Sequence, residues 1–192
     1  MEKQPGMVSF VGAGPGDPEL LTLKGKRLIE EAALLLYAGS MIPPALLDLA
    51  SPRASVIDAA PLDLEECHSL MLQFARAGQP VVHLHTGDPA VYSALREQLA
   101  LLDRDGIPWQ VVPGITAAST AAAALGAPLQ NGFSLVSLSD LLVPADEVRR
   151  NLRAVAQSAL PATLYNPAGR KRRRLLAEAL DIFREARGGD IL

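Results

Sequence analysis

The chain has 192 residues, of which 49% are hydrophobic and 20% charged, which excludes a disordered protein and fits one large domain or two small ones. Eighteen Lys and Arg residues against 21 Asp and Glu residues give a net charge of −3, so the basic field that holds a nucleic-acid backbone is lacking. A single cysteine, Cys67, excludes an internal disulfide, and neither a signal-peptide pattern nor an apolar run of about 18 residues occurs, so we expect a soluble, cytoplasmic protein.

Short apolar runs alternate with amphipathic segments along the chain. The helical spacing of apolar residues predicts helices over 64–77, 92–104 and 170–186. The last helix has an apolar face made of Leu175, Leu176, Ala179, Leu180 and Phe183. The apolar runs predict strands over 7–11, 33–37, 55–57, 81–85, 110–112, 133–138 and 162–165. This alternation predicts an α/β fold with largely parallel strands in the first half.

A stretch rich in proline, glycine and small residues interrupts the pattern between residues 113 and 132. Such a stretch is typical of a joint, and it predicts two α/β domains, residues 1–115 and 116–192. The residues from Gly188 onward have the pattern of a turn followed by the start of another strand. We therefore expect the second domain to be incomplete.

The glycine-rich segment 12–18 follows the first predicted strand, where a ligand could approach the backbone closely. It does not fit a dinucleotide-binding turn, because Asp17 stands where the third glycine belongs and Pro15 lacks an N–H. A Walker loop is excluded as well, since no Gly-Lys-Ser/Thr ends the turn. The purely structural interpretation is a sharp strand-to-helix turn capped by Asp17 or Thr22.

Two more strands are followed by glycine, proline and small polar residues. Segment 86–89 follows the strand 81–85, and Asp88 is expected to cap the next helix with Pro89 in its first turn. Segment 113–117 ends the following strand in the same way. In open α/β sheets ligands bind at the carboxyl ends of strands, so three such turns would meet in one crevice if the sheet is parallel.

Histidine and arginine residues give weaker signals. His83 and His85 lie on one face of a strand and could share a metal, but no cysteine or carboxylate stands at ligand spacing, so we expect packing or hydrogen bonding. Cys67 lies in an amphipathic helix without the spacing of a catalytic nucleophile. The basic run 170–174 at a helix start indicates either a polyanionic ligand or a solvated face paired with Glu178.

Three segments together closely resemble the tetrapyrrole methylase family: 12–18 with 21–24, 86–89 with Tyr92, and 112–117. The resemblance covers nearly the whole chain and implies two α/β domains with a cleft between them, in which S-adenosylmethionine binds. Within the family, segments 37–40 and 84–92 with 95–98 are similar to precorrin-4 carbon-11 methyltransferases. Segments 137–142 and 164–167, followed by basic residues, are similar to precorrin-3B carbon-17 methyltransferases.

The resemblance also implies roles for individual residues. In related uroporphyrinogen methylases an aspartate follows the tyrosine of the second strand and is thought to act in proton transfer. Here that position is Ala38, so no catalytic residue is assigned. The expected cofactor contacts are Pro15, Thr86, Gly87, Asp88, Val91, Thr116, Ala117, Tyr165 and Asn166. The expected substrate contacts are Gly14, Gly16, Tyr37, Ser40, Tyr92 and Arg170, and no metal site is expected.

The function implied by this resemblance is S-adenosylmethionine-dependent C-methylation of a corrin precursor in cobalamin biosynthesis. Carbon 11 of precorrin-4 is favoured because the matching first half is the longer one. The alternatives are carbon 17 of precorrin-3B, a shortened noncatalytic relative, and a relative acting on nucleic acid or protein, which the acidic balance disfavours. We expect a tetrapyrrole substrate, neither a nucleic-acid nor a membrane partner, and a homodimer, because missing strands would leave an exposed sheet edge.

Overall fold

The computed structural model of the protein describes residues 4–127, 129–139, 143–158, 160–167 and 173–189, apart from the side chains of Ser40 and Arg173. The chain divides into two units, Met1–Thr120 and Ala121–Leu192, whereas the sequence analysis divided it after residue 115. None of the helices in these ranges is long and apolar enough to cross a membrane.

Five parallel strands form the sheet of the first unit. They are β1 (Val8–Gly12), β2 (Leu34–Tyr37), β3 (Ser55–Asp58), β4 (Val81–His85) and β5 (Trp109–Val112). Their order is β3-β2-β4-β1-β5, so β1 lies between β4 and β5 and β2 lies between β3 and β4. Every strand predicted in this unit is present, and each observed boundary is within one residue of the predicted one.

The helices of the first unit cover both faces of this sheet. They are α1 (Leu23–Glu31), α2 (Pro44–Leu47), α3 (Leu64–Arg76), α4 (Leu95–Arg104) and α5 (Ala117–Ala124), whose last residues belong to the second unit. Successive strand residues point to opposite faces. Val11 and Leu35 therefore pack with Ile29 of α1, while Phe10 packs on the other face with Met71 of α3.

Asp17 and Thr22, the two alternative caps predicted after β1, both act as caps. The Asp17 carboxylate accepts a hydrogen bond of 2.9 Å from Glu19 N at the start of a single 3-10 turn. The Thr22 hydroxyl accepts one of 3.0 Å from Gly25 N at the start of α1. The turn after β1 is thus followed by a helix whose first turn is stabilised by its own side chains.

The predicted start of α4 is wrong. The helix begins at Leu95 and not near Tyr92, and Asp88 does not cap it. The Asp88 carboxylate instead accepts a hydrogen bond from Ala90 N at 2.8 Å, and the Ser93 hydroxyl donates to the Pro89 carbonyl. Tyr92 has a φ of 52°, which no residue of a right-handed helix adopts, so these local bonds form an irregular turn before the helix.

The second unit contains a parallel pair of strands, β6 (Ser134–Ser137) and β7 (Ala162–Tyr165), and helices α6 (Ala145–Gln157) and α7 (Arg173–Arg187). Val136 of β6, Leu152 of α6 and Phe183 of α7 belong to its core. The predicted apolar face of α7 is wrong at Leu180, which is 43% exposed. The buried residues of that face are spaced by four, and Leu180 follows one of them directly, which turns it towards the flank of the helix.

Candidate functional site

The carboxyl ends of five parallel strands lie at one edge of the first sheet. Strand β1 pairs with β4 on one side and with β5 on the other, and each of these three strands leads into a glycine-containing turn. Strand order reverses between β4 and β1, since β2, β3 and β4 all lie on one side of β1 and β5 lies on the other. Such a reversal is where open α/β sheets bind ligands.

The turns after β1 and β4 are joined through their backbones. Gly87 N donates to the Gly14 carbonyl at 2.8 Å, Gly14 N donates to the Gly87 carbonyl at 3.2 Å, and Ala13 N donates to the His85 carbonyl at 2.7 Å. Gly14 and Gly87 have φ values of 77° and 68°, in the left-handed region that favours glycine. The two turns are therefore held together without any side chain.

The turn after β5 contacts the other two. A Cβ atom added to Gly114 would stand 2.1 Å from the Gly87 carbonyl oxygen and 2.8 Å from Gly12 Cα. A Cβ atom added to Gly12 would stand 2.5 Å from Gly114 Cα. At Gly87 and Gly16, by contrast, an added Cβ atom would meet nothing within 4 Å. The predicted convergence of the three turns is thus confirmed, and open space lies beside two of their glycines.

The structure places the predicted cofactor contacts of the first unit in or beside these turns. Thr86, Asp88 and Val91 are half-buried after β4, and the Asp88 carboxylate forms the local bond to Ala90 N described above. The remaining contacts, Pro15, Gly87, Thr116 and Ala117, follow β1, β4 and β5. Their role in binding a cofactor stays a prediction.

The other two predicted cofactor contacts, Tyr165 and Asn166, lie in the second unit at the end of β7. Asn166 has a φ of 56°, and its side-chain Nδ2 donates to Ser137 Oγ at 3.0 Å. Ser139 N donates to the same oxygen at 3.2 Å. Ser137 therefore ties the ends of β6 and β7 together, a role that the sequence analysis did not assign.

The predicted substrate contacts are more scattered. Gly14 and Gly16 belong to the turn after β1. Tyr37 is half-buried at the end of β2, where it packs on the hydrophobic cluster that contains Val11 and Ile29. Tyr92 is 49% exposed in the turn before α4. Ser40 lies in a single 3-10 turn after β2, its side chain outside the description, and Arg170 lies outside the described residues altogether.

A carboxylate missed by the sequence analysis holds the turn after β2. Asp58, the last residue of β3, is the register partner of Tyr37. Its Oδ1 accepts hydrogen bonds from Gly39 N at 3.0 Å and from Ala60 N at 2.8 Å. The signal available in the sequence was an acidic residue directly after a short strand, at the edge where ligands bind.

Two histidines lie at the end of β4, where His83 is buried and His85 is half-buried. The His83 and His85 rings are 4.5 Å apart between centroids, and Phe10 lies against both. His83 Nδ1 is 2.8 Å from Gln98 Oε1, whereas His85 Nε2 is buried with no partner among the described residues. Burial lowers the pKa of His83 to about 4 and that of His85 to about 3, so both rings are neutral near pH 7. The expected packing or hydrogen bonding is confirmed, since both rings pack against Phe10 and His83 is hydrogen-bonded to Gln98.

The remaining candidates have structural partners. Cys67 is buried in α3, and burial raises the pKa of its thiol, an effect that nearby Asp63 and Glu66 strengthen. Arg174 Nε donates to Glu178 Oε1 at 2.8 Å, as the solvated-face interpretation of the basic run expects. Within the described ranges, no group of three or more His, Cys, Asp and Glu residues is placed to hold a metal ion.

Comparison with known proteins identifies the family. Residues 7–191 match the family model of the tetrapyrrole (corrin/porphyrin) methylases. The chain belongs to this family.

Curated relatives of this tetrapyrrole methylase include two precorrin-4 C(11)-methyltransferases. That of Pseudomonas aeruginosa is 48% identical over 122 residues, which are 64% of this chain and 48% of the relative. That of Rhodococcus erythropolis is 39% identical over 178 residues, which are 90% of this chain and 70% of the relative. The chain spans about half the length of most of the curated relatives that it matches.

Solved structures show the same α/β fold. A cobalt precorrin-4 methyltransferase, CbiF, superposes with a TM-score of 0.82 at 35% identity, over 94% of this chain and 74% of that one. Uroporphyrin-III C-methyl transferase from Thermus thermophilus, complexed with S-adenosylhomocysteine, gives 0.68 at 36% identity, over 92% of this chain and 72% of that one. The predicted α/β fold of the tetrapyrrole methylases is thereby confirmed.

Proposed function

We propose that the chain binds S-adenosylmethionine and transfers its methyl group to carbon 11 of precorrin-4 or its cobalt form. The observation that carries this proposal is the meeting of Gly12, Gly87 and Gly114 at the carboxyl edge of the sheet, with open space beside Gly87. Three backbones in contact form a rigid floor, and the absence of side chains lets a ligand approach it closely.

The choice of methyl donor has independent support. A Thermus thermophilus relative of the same family was solved with S-adenosylhomocysteine, the product that remains after methyl transfer. In this chain the residues to hold such a molecule are Pro15 after β1, Thr86 to Asp88 with Val91 after β4, and Thr116 with Ala117 after β5. Tyr165 and Asn166 at the end of β7 are the proposed contacts from the second unit.

The proposed reaction depends mainly on the alignment of the reacting atoms. The sulfonium of the donor supplies an already activated methyl group, so the protein must hold the nucleophilic carbon, the methyl group and the sulfur in line and keep water out. Orientation of this kind can contribute roughly 7–11 kcal/mol to lowering the barrier. An alanine at position 38, where some relatives carry an aspartate, is compatible with a reaction of this type.

Carbon 11 is favoured over carbon 17 by the extent of the similarity. The Rhodococcus erythropolis relative matches over 178 residues, so a protein named for carbon 11 resembles both halves of this chain. The carbon-17 alternative depends on the short segments 137–142 and 164–167. A noncatalytic relative is the third possibility, and it predicts cofactor binding without turnover.

The test begins with binding. S-adenosylhomocysteine should raise the melting temperature of the protein, because a ligand that binds the native state alone stabilises it, whereas NAD should leave it unchanged. The protein is then incubated with methyl-labelled S-adenosylmethionine and, in separate reactions, precorrin-4, cobalt-precorrin-4 or precorrin-3B, and the labelled carbon is located by NMR. Label at carbon 17 from precorrin-3B would contradict the regiochemistry, and binding without any transfer would support the noncatalytic alternative.

The proposal includes a homodimer. The sheet of the first unit ends in β3 on one side and β5 on the other, and unpaired strand edges favour association. Sedimentation equilibrium should give twice the mass of the chain, and a monomer at micromolar concentration would contradict this part of the proposal.

A further inference from the structure

Asp58 has a position and a set of bonds that the proposed function does not use. It is the last residue of the edge strand β3 and lies in register with Tyr37, the last residue of β2. The side chain is exposed. Asp58 forms no ion pair with any Lys, Arg or His whose side chain the structure describes.

The two oxygens of this carboxylate are used unequally. Oδ1 accepts both recorded hydrogen bonds, from Gly39 N at 3.0 Å and from Ala60 N at 2.8 Å. Gly39 has a φ of 70°, so the first bond holds a glycine in a conformation that other residues rarely adopt. Oδ2 has no hydrogen-bond partner in the described part of the chain. One oxygen therefore fixes the turn after β2, and the other remains able to accept.

The position of Asp58 relative to the glycine turns suits an acceptor substrate. Neighbouring strands lie about 4.8 Å apart, so the end of β3, two strands from β4, is roughly 10 Å from the turn that contains Gly87. The proposed methyl donor occupies the β4, β1 and β5 side of the edge. The β2 and β3 side lies next to it, and a flat ring system placed there would be within reach of both Asp58 and the donor.

We propose that Asp58 contacts the tetrapyrrole, with Oδ2 accepting a hydrogen bond from a ring N–H while Oδ1 positions the turn after Tyr37. The inference rests on the proposed methyltransferase function and deepens it. A hydrogen bond from N–H to a carboxylate is stronger than one to a neutral acceptor. The same negative charge repels the carboxylates on the rim of the tetrapyrrole, so it selects the orientation that brings the ring nitrogens to this edge.

The charge also suits the reaction. An electron pair of the conjugated ring forms the new bond from carbon to the methyl group, the carbon–sulfur bond breaks, and its electron pair stays on sulfur. The positive charge of the sulfonium thereby passes to the ring system, where ring nitrogens share it until one releases its proton to water. A carboxylate beside those nitrogens stabilises the charge as it develops, which lowers the barrier for the transfer.

The variant Asp58→Asn separates the two roles, because its amide oxygen can still accept from Gly39 N and Ala60 N while the charge is gone. We expect its melting temperature and its affinity for S-adenosylhomocysteine to match the wild type. Its kcat with metal-free precorrin-4, whose ring nitrogens carry the N–H groups, should fall at least tenfold, and its Kd for this tetrapyrrole, followed by absorbance, should rise. Asp58→Glu, which keeps the charge, should recover part of kcat.

Asp103→Asn is the matched control. The exposed Asp103 carboxylate also accepts a hydrogen bond, from Trp109 Nε1 at 2.7 Å, but Trp109 is the first residue of β5, so this bond lies at the opposite edge of the sheet. This variant should leave kcat and both affinities unchanged. A wild-type kcat in Asp58→Asn would overturn the inference. So would a loss of S-adenosylhomocysteine affinity in this variant that accompanies the loss of kcat. Both outcomes would leave the methyltransferase proposal standing. A wild type that binds neither ligand would overturn both.

Discussion

The Gly114 backbone lies so close to the Gly87 carbonyl that a Cβ atom on Gly114 would stand 2.1 Å from that oxygen. These residues follow β5 and β4, which do not pair with each other, because β1 runs between them. Gly12 at the end of β1 occupies the same junction. The contact is possible because β1, the strand between them, also ends in a glycine. The floor of the proposed site therefore depends on the absence of side chains at three neighbouring strand ends.

Replacing Gly114 with alanine should therefore damage the site itself. The new methyl group would meet two backbones that cannot rotate away as a side chain can, so the turns must separate. We expect the free energy of unfolding to fall by about 1–3 kcal/mol and the affinity for S-adenosylhomocysteine, measured by calorimetry, to fall at least tenfold. Gly189→Ala is the control, because a Cβ atom there meets nothing within 4 Å. Unchanged affinity in Gly114→Ala would contradict the proposed floor.

A second pair of glycines separates backbone strain from ligand contact. Gly87 and Gly106 have φ values of 68° and 66°, and at both an added Cβ atom has no neighbour within 4 Å. Alanine should lower the free energy of unfolding by about 1–2 kcal/mol at each position, since both conformations are left-handed. Only Gly87→Ala should weaken S-adenosylhomocysteine binding, by roughly the tenfold that corresponds to 1.4 kcal/mol. Equal affinities for the two variants would show that the space beside Gly87 does not receive the ligand.

The strands and the three glycine turns were predictable from the sequence because their signals are local. Each strand is a short apolar run bounded by turn residues, and each observed boundary lies within one residue of the predicted one. The meeting of the turns also followed from local features, since parallel strands bring their carboxyl ends to one edge. What had to be known beyond the sequence was only that β4, β1 and β5 are neighbours.

The start of α4 was not predictable in the same way. Asp88 followed by Pro89 is a strong signal for a helix start, and the apolar spacing continues back to Tyr92. The structure uses the Asp88 carboxylate for Ala90 N and places Tyr92 in the left-handed region instead. Both a helix cap and a tight turn satisfy the same side chain, and the sequence around Asp88 does not distinguish them.

Asp58 and Ser137 were missed for a different reason. Their partners, Gly39 and Asn166, are 19 and 29 residues away, and the bonds exist because β3 pairs with β2 and β6 pairs with β7 in a particular register. A register is set by tertiary packing, so a polar residue at a strand end can be recognised in the sequence while its partner cannot.

The histidine pair of β4 predicts how stability depends on pH. His83 and His85 have pKa values of about 4 and 3 in the folded protein, below the ordinary value of 6.5. The unfolded chain therefore binds more protons below pH 6.5, so the stabilisation is present above that pH and is lost as the pH falls towards about 4 for His83 and about 3 for His85. At pH 5 each imidazole should cost about 2 kcal/mol relative to pH 7.5.

Urea unfolding of the wild type and His85→Phe at pH 7.5 and pH 5.0 measures this effect. The phenylalanine has no site to protonate and removes the buried Nε2 that lacks a partner, so the variant should lose less stability on acidification. Because the carboxylates that titrate in this range are the same in both proteins, the difference isolates the imidazole. An identical loss in the two proteins would contradict a neutral His85 with a buried Nε2.

Arg187 should stabilise the second unit more than Arg184, the other arginine in the last turn of α7. Its guanidinium donates from Nε to the Ala156 carbonyl at 2.9 Å and from Nη2 to three more carbonyls, those of Val155, Ser158 and Leu160, at 2.7–2.9 Å. These carbonyls end α6 or follow it, where carbonyls lack the i+4 donors of a continuing helix and a cation is favourable.

Arg187→Ala should therefore lower the free energy of unfolding by at least about 2 kcal/mol, because several part-buried carbonyls lose a charged donor. Arg187→Lys should recover only part of the loss, since an ammonium group cannot reproduce the planar fork. Arg184→Ala is the control, because Arg184 makes a 3.1 Å exposed ion pair with Asp181, and such pairs contribute about 0.5 kcal/mol. Urea unfolding measures the stability of all three variants. An exposed ion pair and a guanidinium that donates to four carbonyls should differ severalfold in their contribution to the free energy of unfolding. Equal losses for Arg187→Ala and Arg184→Ala would therefore contradict the capping role.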